Sequence, residues 1–192
     1  TSHEGYIGAF KGTVAGPEEK TEIEYGAVIN AVGAVAYEPR EYLYKEDERV
    51  VTQVELASRM RKHPQWPKEV KSVAMIQCVG SRNEEFPFCS RVCCTAAVKN
   101  AIDLKKANPD IQVVVLYRDL RTFGFKELYY QKARKKGVLF FRFIPEESPE
   151  VYNDNGRLVL DFTDRSSRRP FRILPDLVVL SAGIRPAADS QE

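Results

Sequence analysis

From residue 71 onward, short and almost wholly apolar runs alternate with stretches of helical periodicity, and this alternation restricts the fold more than any other feature of the sequence. KSVAMIQCV (71–79) ends at Gly80, IQVVVLY (111–117) follows an Asn-Pro-Asp break, and VLFFRF (138–143) follows Gly137. Runs without polar alternation are what strands covered on both faces require. Between them the pattern predicts a helix from Ser90 or Arg91 to Ala107, stopped by Asn108-Pro109-Asp110, and a second over Lys126 to Lys136 with Gly137 as its C-terminal cap. RLVLDF, the polar turn DRSSRRP and FRIL predict a hairpin, and Pro175-Asp176 opens a last strand, LVVLS, that ends at Gly183. The order predicts an α/β fold: a Rossmann-like open, mainly parallel sheet with helices on both faces and a β-meander.

The first third of the chain reads differently. GYIGAFKGTVAG (5–16) predicts a short strand, Glu18 to Lys20 a polar turn, and TEIEYGAVINAVGA (21–34) an edge-like strand followed by an apolar strand, Ala27 to Val32, ending at Gly33. Residues 37–69 are punctuated by Pro39, Pro64 and Pro67 and read as mostly irregular. Their one helical stretch, Thr52 to Lys62, has a capping-box signature, with Glu55 three residues after Thr52. A boundary is expected near residue 68. This gives a β segment and linker over 1–68, an α/β domain over 69–188 and a tail over 189–192.

The chain has four cysteines, and all lie within seventeen positions with the spacing C-x10-C-x3-C-C: Cys78, Cys89, Cys93 and Cys94. The first is expected at the end of a strand and the other three at the start of the next helix. Ligands of open α/β sheets sit beyond the carboxyl ends of the strands, at such a turn. The free amides and positive dipole end of a helix start lower thiol pKa values and favour anionic ligands, of which a thiolate-held iron–sulfur cluster is one. Gly80 admits close backbone approach, and Ala96 and Ala97 leave the following turn uncrowded. Structural zinc, a disulfide pair and four inert buried thiols are the alternatives. Zinc usually takes paired C-x2–4-C hooks, whereas one pair here is directly adjacent. Thiol–disulfide exchange at Cys93 or Cys94 would lack the usual C-x-x-C pair. The turn CVGSR holds one glycine where a dinucleotide site would show G-x-G-x-x-G, which argues against direct NAD(P)H binding.

Charge and hydropathy exclude several classes. The net charge is only +2, with basic residues interspersed among acids, so no nucleic-acid partner is expected. Arg165, Arg168 and Arg169 form the one basic cluster and read as a solvated turn rather than an anion site. No apolar run approaches the roughly 18 residues that cross a bilayer. No secretory signal pattern is visible, and a cytoplasmic setting favours metal or redox chemistry over disulfides. His3 and His63 stand alone and are given no ligand role.

IQCVGSRNEEFPFCSRVCCTAAVKNA, then YRDLRTFG and ARKKGVLFFRF, resemble the flavoprotein A-type subunits of heterodisulfide reductase and their relatives, which include a quinone-interacting membrane-bound oxidoreductase component. The resemblance runs from about residue 21 to 188. GAVINAVGA is similar to the strand and A-T-G turn with which such flavoproteins approach FAD, except that Val32 holds the middle position; DLVVLSAGIRP resembles a later strand of the second dinucleotide-type domain. The family implies a thioredoxin-reductase-like fold, FAD, and a 4Fe–4S cluster bound by Cys78, Cys89, Cys93 and Cys94. It implies flavin-side positions at Gly33, Lys99 and Gly183, with Lys99 otherwise an exposed helix lysine. Arg118, Asp119 and Arg121 would either form a salt-bridged turn or line the cofactor crevice. Electron transfer between flavin and iron–sulfur centres is the implied activity, with partner iron–sulfur and flavin subunits. The missing G-x-G-x-x-G, terminal flavin segment and ferredoxin-type cysteine runs make the chain read as a middle piece with an incomplete FAD site, open to self-association through apolar strand edges. The alternative is a zinc-stabilised scaffold domain that docks partner subunits.

Overall fold

The computed structural model describes residues 2–187. It divides into two units, one formed by residues up to 34 with those from 186 onward, the other by Val35–Arg185. The tail expected over 189–192 lies outside the described residues.

In the first unit, β1 (Ser2–Tyr6), β2 (Ala9–Ala15) and β3 (Lys20–Tyr25) make an antiparallel meander. The single strand expected over 5–16 is therefore the end of one strand and the whole of another, reversed at Gly8, whose φ of 95° suits only glycine without strain. The apolar strand expected at Ala27 to Val32 does not form. Residues 27–33 have no regular structure, and Ile29 is 91% exposed. Its apolar composition satisfied the strand pattern, but β3 ends at Tyr25 and none of the described sheets takes up this segment. The next strand is β4 (Ala34–Ala36).

The second unit holds β5 (Val50–Thr52), α1 (Gln53–Lys62), β6 (Ser72–Val79), α2 (Cys93–Ala107), β7 (Gln112–Tyr117), α3 (Glu127–Lys135), β8 (Leu139–Arg142), β9 (Glu150–Asp154), β10 (Arg157–Asp164), β11 (Arg169–Ile173), β12 (Leu177–Ala182) and β13 (Ile184–Pro186). Five strands form one parallel sheet in the order β5-β12-β6-β7-β8. Residues 35–68, grouped with the first segment in the sequence reading, lie in this unit: β5 pairs with β12, and α1 begins directly from it. The capping box is present, with Thr52 Oγ1 accepting from the Glu55 amide and the Glu55 carboxylate accepting from the Thr52 amide at 2.6 Å.

Pleating sorts the strand residues onto two faces. Val73, Met75, Val113, Val115 and Val179 pack with Leu56, Val98, Leu104 and Ala133, which come from all three helices. Ala74, Ile76, Leu116, Val178 and Leu180 pack with Leu158, Leu160 and Phe162 of β10. Helices thus cover one face only, a correction to the expected arrangement. The second face is filled by the antiparallel sheet β11-β10-β9, whose Phe162 and Phe171 rings stack at 5.3 Å, with Phe141 against both. Two antiparallel partners give β10 a continuous apolar face, and that face replaces a helical layer. The turn after β10 is closed by Asp164, which accepts from the Ser167 amide at 2.8 Å, so Arg165 and Arg168 belong to a hairpin turn.

Candidate metal centre

The four cysteines are brought together by an irregularity in the central strand. β6 and β12 run in step from Val73 opposite Leu177 to Ile76 opposite Leu180; the next pair is Val79 opposite Ala182. Three residues of β6 are matched by two of β12, a β-bulge. Cys78 adopts φ 65° there, a left-handed conformation that costs a non-glycine residue about 1–2 kcal/mol. The bulge reverses the pleat: Val79 joins the face of Ala74 and Ile76, where an unbroken strand would have placed Cys78. Cys78 is turned out of the core toward the loop that follows.

That loop is backbone-strained and closely held. Arg82 and Arg91 also have positive φ, as does Gly80. A Cβ on Gly80 would lie 2.0 Å from the Tyr37 ring, and one on Gly183 would lie 3.0 Å from Ser81 Cβ and 3.1 Å from Ser90 Oγ. The loop packs where only glycine fits. The Gly183 amide donates to Val79 O, and the Ile184 amide to Ser90 Oγ at 2.8 Å. Within the loop, the Arg82 amide donates to Phe88 O and the Phe86 amide to Asn83 Oδ1. The Arg185 guanidinium lies over the Phe86 ring at 3.1 Å and the Tyr37 ring at 4.7 Å.

Helix α2 starts at Cys93, slightly later than expected, with Val92 as a cap residue that gives no side-chain hydrogen bond. The Cys93 thiol donates to Ala182 O at 3.3 Å, the Cys94 thiol contacts Asp119 O at 3.8 Å, and the Arg91 amide donates to Cys89 Sγ at 3.4 Å. All four thiols are free and line one hollow of about 10 Å³, together with Arg82, Ser90, Asp119 and Arg121. Among the described residues no three His, Cys, Asp or Glu side chains are arranged to hold a metal ion, so the thiols surround the hollow without converging on one point.

Burial dominates the thiol chemistry. It pushes Cys93 up to about 11, and the neighbouring Cys94, Cys78 and Cys89 act in the same direction. Burial also raises Cys78 against the opposing Arg82 guanidinium, and raises Cys94 against an opposing hydrogen bond from Arg121. The lowering expected from the helix start is outweighed. At neutral pH these three are thiols, and a metal must displace their protons to bind. Two orphaned groups flank the ligand positions: among the described residues, both amide atoms of Gln77, which is 1% exposed, and the buried hydroxyl of Thr95 have no partner.

A charged network adjoins Cys78. Arg82 Nη1 is 3.9 Å from its sulfur, and Arg82 Nη2 is 2.7 Å from Asp119. Arg142 and Arg121 approach the same carboxylate at 3.6 and 4.0 Å, and Arg118 Nη1 donates to Arg82 O at 2.8 Å. The YRDLRTFG stretch is therefore both salt-bridged and, through Asp119 and Arg121, part of the hollow. Arg82 and Ser90 carry no spacing signal of their own; their position one to four residues from a cysteine is the only one. The expected flavin-side residues are divided between the two units. Gly33 lies in the first unit with open space around it. Gly183 packs against the cysteine loop, and Lys99 pairs with Asp103 at 3.2 Å in a groove between α1 and α2.

No family model matches the chain. It is 36% identical over 190 residues to the A-type subunit of the H(2):CoB-CoM heterodisulfide,ferredoxin reductase of Methanothermobacter thermautotrophicus, covering 91% of this chain and 28% of the relative. It is 35% identical over 191 residues to the iron-sulfur A-type subunit of the CoB–CoM heterodisulfide reductase of Methanocaldococcus jannaschii, covering 90% and 28%. The chain thus spans just over a quarter of the length of these relatives. Among solved structures, an FAD-bound cadaverine monooxygenase of Erwinia amylovora matches with a TM-score of 0.54 at 11% identity, over 95% of this chain and 51% of that one. Lactococcus lactis thioredoxin reductase matches at 0.50 and 18% identity, over 98% and 54%. These likenesses concern the fold, and they bear out the thioredoxin-reductase-like arrangement.

Proposed function

Over about nine-tenths of its length the chain belongs to the family of heterodisulfide reductase A-type subunits, and on that premise we propose that it is an electron-transfer segment of an oxidoreductase, in which Cys78, Cys89, Cys93 and Cys94 hold a 4Fe–4S cluster that exchanges electrons with FAD. One observation carries this reading: four cysteines, from the bulged end of the central strand, the loop after it and the start of the following helix, line a single hollow. The donor set suits the group, since four soft sulfurs around one space match a cluster that takes one thiolate per iron better than a zinc ion, which gathers its thiolates at about 2.3 Å from one point. When bound, the cluster supplies one-electron transfer. The chain's own part is to present the ligands and keep water away. The bulge turns Cys78 outward, α2 carries Cys93 and Cys94, and the loop held by Ser90 and Arg185 carries Cys89. The hollow has room for about one water, so it would have to widen to hold the cluster, and each buried thiol would give up its proton on binding.

FAD is the proposed second centre. Lys99 lies in the groove between α1 and α2, and Gly183 packs against Ser81 and Ser90 of the cysteine loop. Other iron–sulfur or flavin subunits are the proposed partners. Among the described residues no helix is long and apolar enough to cross a membrane.

The test is anaerobic reconstitution of the 192-residue chain with ferrous iron and sulfide, followed by iron, sulfide, zinc and flavin assays. About four irons and four sulfides per chain are expected, with less than stoichiometric flavin. Equimolar zinc with no iron uptake would overturn the reading in favour of a zinc-held scaffold.

A further inference from the structure

The charged network beside Cys78 has a sign, and the sequence motif does not account for it. Three guanidinium groups, from Arg82, Arg121 and Arg142, face the one carboxylate of Asp119 at 2.7, 4.0 and 3.6 Å. The four groups leave an excess of positive charge. Arg82 is the member turned to the cysteine: its Nη1 is 3.9 Å from Cys78 Sγ while its Nη2 is held by Asp119. Its position is well determined. Its backbone is in the left-handed region at φ 59°, its carbonyl accepts from Arg118, its amide donates to Phe88 O, and its side chain is only 16% exposed. A charge so enclosed is screened far less by salt than one on the surface.

We infer that Arg82 is a positioning residue that raises the reduction potential of the centre held in the four-cysteine hollow, and that Asp119 sets the size of this effect by neutralising part of its charge. The inference rests on the proposed cluster. A fixed cation next to a ligand sulfur favours the state carrying the extra electron, and hydrogen bonds to cluster sulfurs act in the same direction. Removing the cation lowers the potential. Removing the carboxylate leaves the arginines uncompensated and raises it. The two variants therefore act with opposite signs, which a purely structural role in holding the loop would not produce.

The experiment uses the full 192-residue chain as wild type, R82Q, R82K and D119N. Each is reconstituted anaerobically with ferrous iron and sulfide and titrated against redox mediators, with the reduced fraction read by absorbance and electron paramagnetic resonance. R82Q is expected to lower the reduced-to-oxidised ratio at a fixed potential about tenfold, which for a one-electron couple is about 59 mV. D119N is expected to raise that ratio by a similar factor, and R82K, which keeps the charge but not the two-armed bridge between Cys78 and Asp119, to fall between R82Q and wild type. Shifts of the same sign in R82Q and D119N, or no shift in either, overturn the inference while leaving the cluster in place. If R82Q fails to hold iron, D119N decides alone: a ratio that does not rise overturns the inference. Failure of the wild type to take up iron refutes the cluster itself, and the inference with it.

Discussion

Gly80 gives the sharpest test of how the cysteine loop is held. Alanine at this position meets two separate penalties. The backbone is at φ 63°, where an L-residue costs about 1–2 kcal/mol. The new Cβ would lie 2.0 and 2.1 Å from two ring carbons of Tyr37, too close for any real contact. Tyr37 cannot step aside without cost, because its ring packs on the core beneath the β11-β10-β9 sheet, its hydroxyl donates to Glu41 at 3.3 Å and Arg185 rests on its face. Overpacking of this kind costs about 1–3 kcal/mol, so Gly80→Ala is expected to destabilise the second unit by about 3 kcal/mol in total. Urea unfolding followed by Trp66 fluorescence reads this directly: Trp66 is the only tryptophan, packs against the helix-side core and carries Arg59 over its ring at 5.2 Å. A Tyr37→Ala background separates the two effects. There only the backbone penalty remains, about 1 kcal/mol, and the coupling between the sites should be about 2 kcal/mol. Equal costs in the two backgrounds would refute the steric argument, and a wild-type-background cost under about 1 kcal/mol would refute both halves.

Three further outcomes follow from other parts of the fold. Thr52→Ala removes the capping box of α1 and is expected to cost about 1 kcal/mol by the same fluorescence assay, with Thr52→Ser nearly neutral. Asp47 is held down at about 2, chiefly by hydrogen bonds from the Arg49 side chain, below the ~3.9 of an unfolded chain. Its contribution is thus present above about pH 4 and lost as pH falls toward 2; Asp47→Asn should be less stable than wild type by about 1 kcal/mol at pH 7, after discounting for the exposure of Arg49, with the difference vanishing near pH 2 in acid titrations of stability. Leu180→Ala, at a fully buried site on β12, is expected to cost about 2–5 kcal/mol, whereas Leu128→Ala on an exposed face of α3 should change stability by less than about 0.5 kcal/mol.

The parts of this fold that were legible in the sequence are those governed by local rules. β6, β7 and β12 are apolar runs because both their faces are covered, and α1 announces itself through Thr52 and Glu55. What stayed hidden depends on partners distant in sequence. β5 is three residues long and exists because Val178 to Leu180 offer it an edge. Ala27 to Val32 has a strand's composition but no strand beside it among the described residues. Helices on one face rather than two follow from the apolar side of β10, which a hairpin pattern shows only as half of a sheet. At the candidate site the four cysteines were visible, and so was their place at a strand-to-helix turn. The bulge at Cys78 was not, because it is a mismatch of register with β12, and neither was Arg82, whose role comes from Asp119 thirty-seven positions away. Burial, likewise invisible, reverses the direction in which the helix start alone would move the thiols.

The route by which the chain enters and leaves the second unit has a consequence for how it can be handled and rearranged. It enters along β4 and leaves along β13, two strands paired with each other, and just inside them the Tyr37 amide donates to Gly183 O at 2.8 Å. Both leads therefore emerge side by side, like the pins of a plug. Adjacent ends are the geometric condition for circular permutation, or for insertion into a surface turn of an unrelated host, and the unit from Val35 to Arg185 meets it. The cysteine hollow would travel with it, since all of its lining residues fall between those two leads.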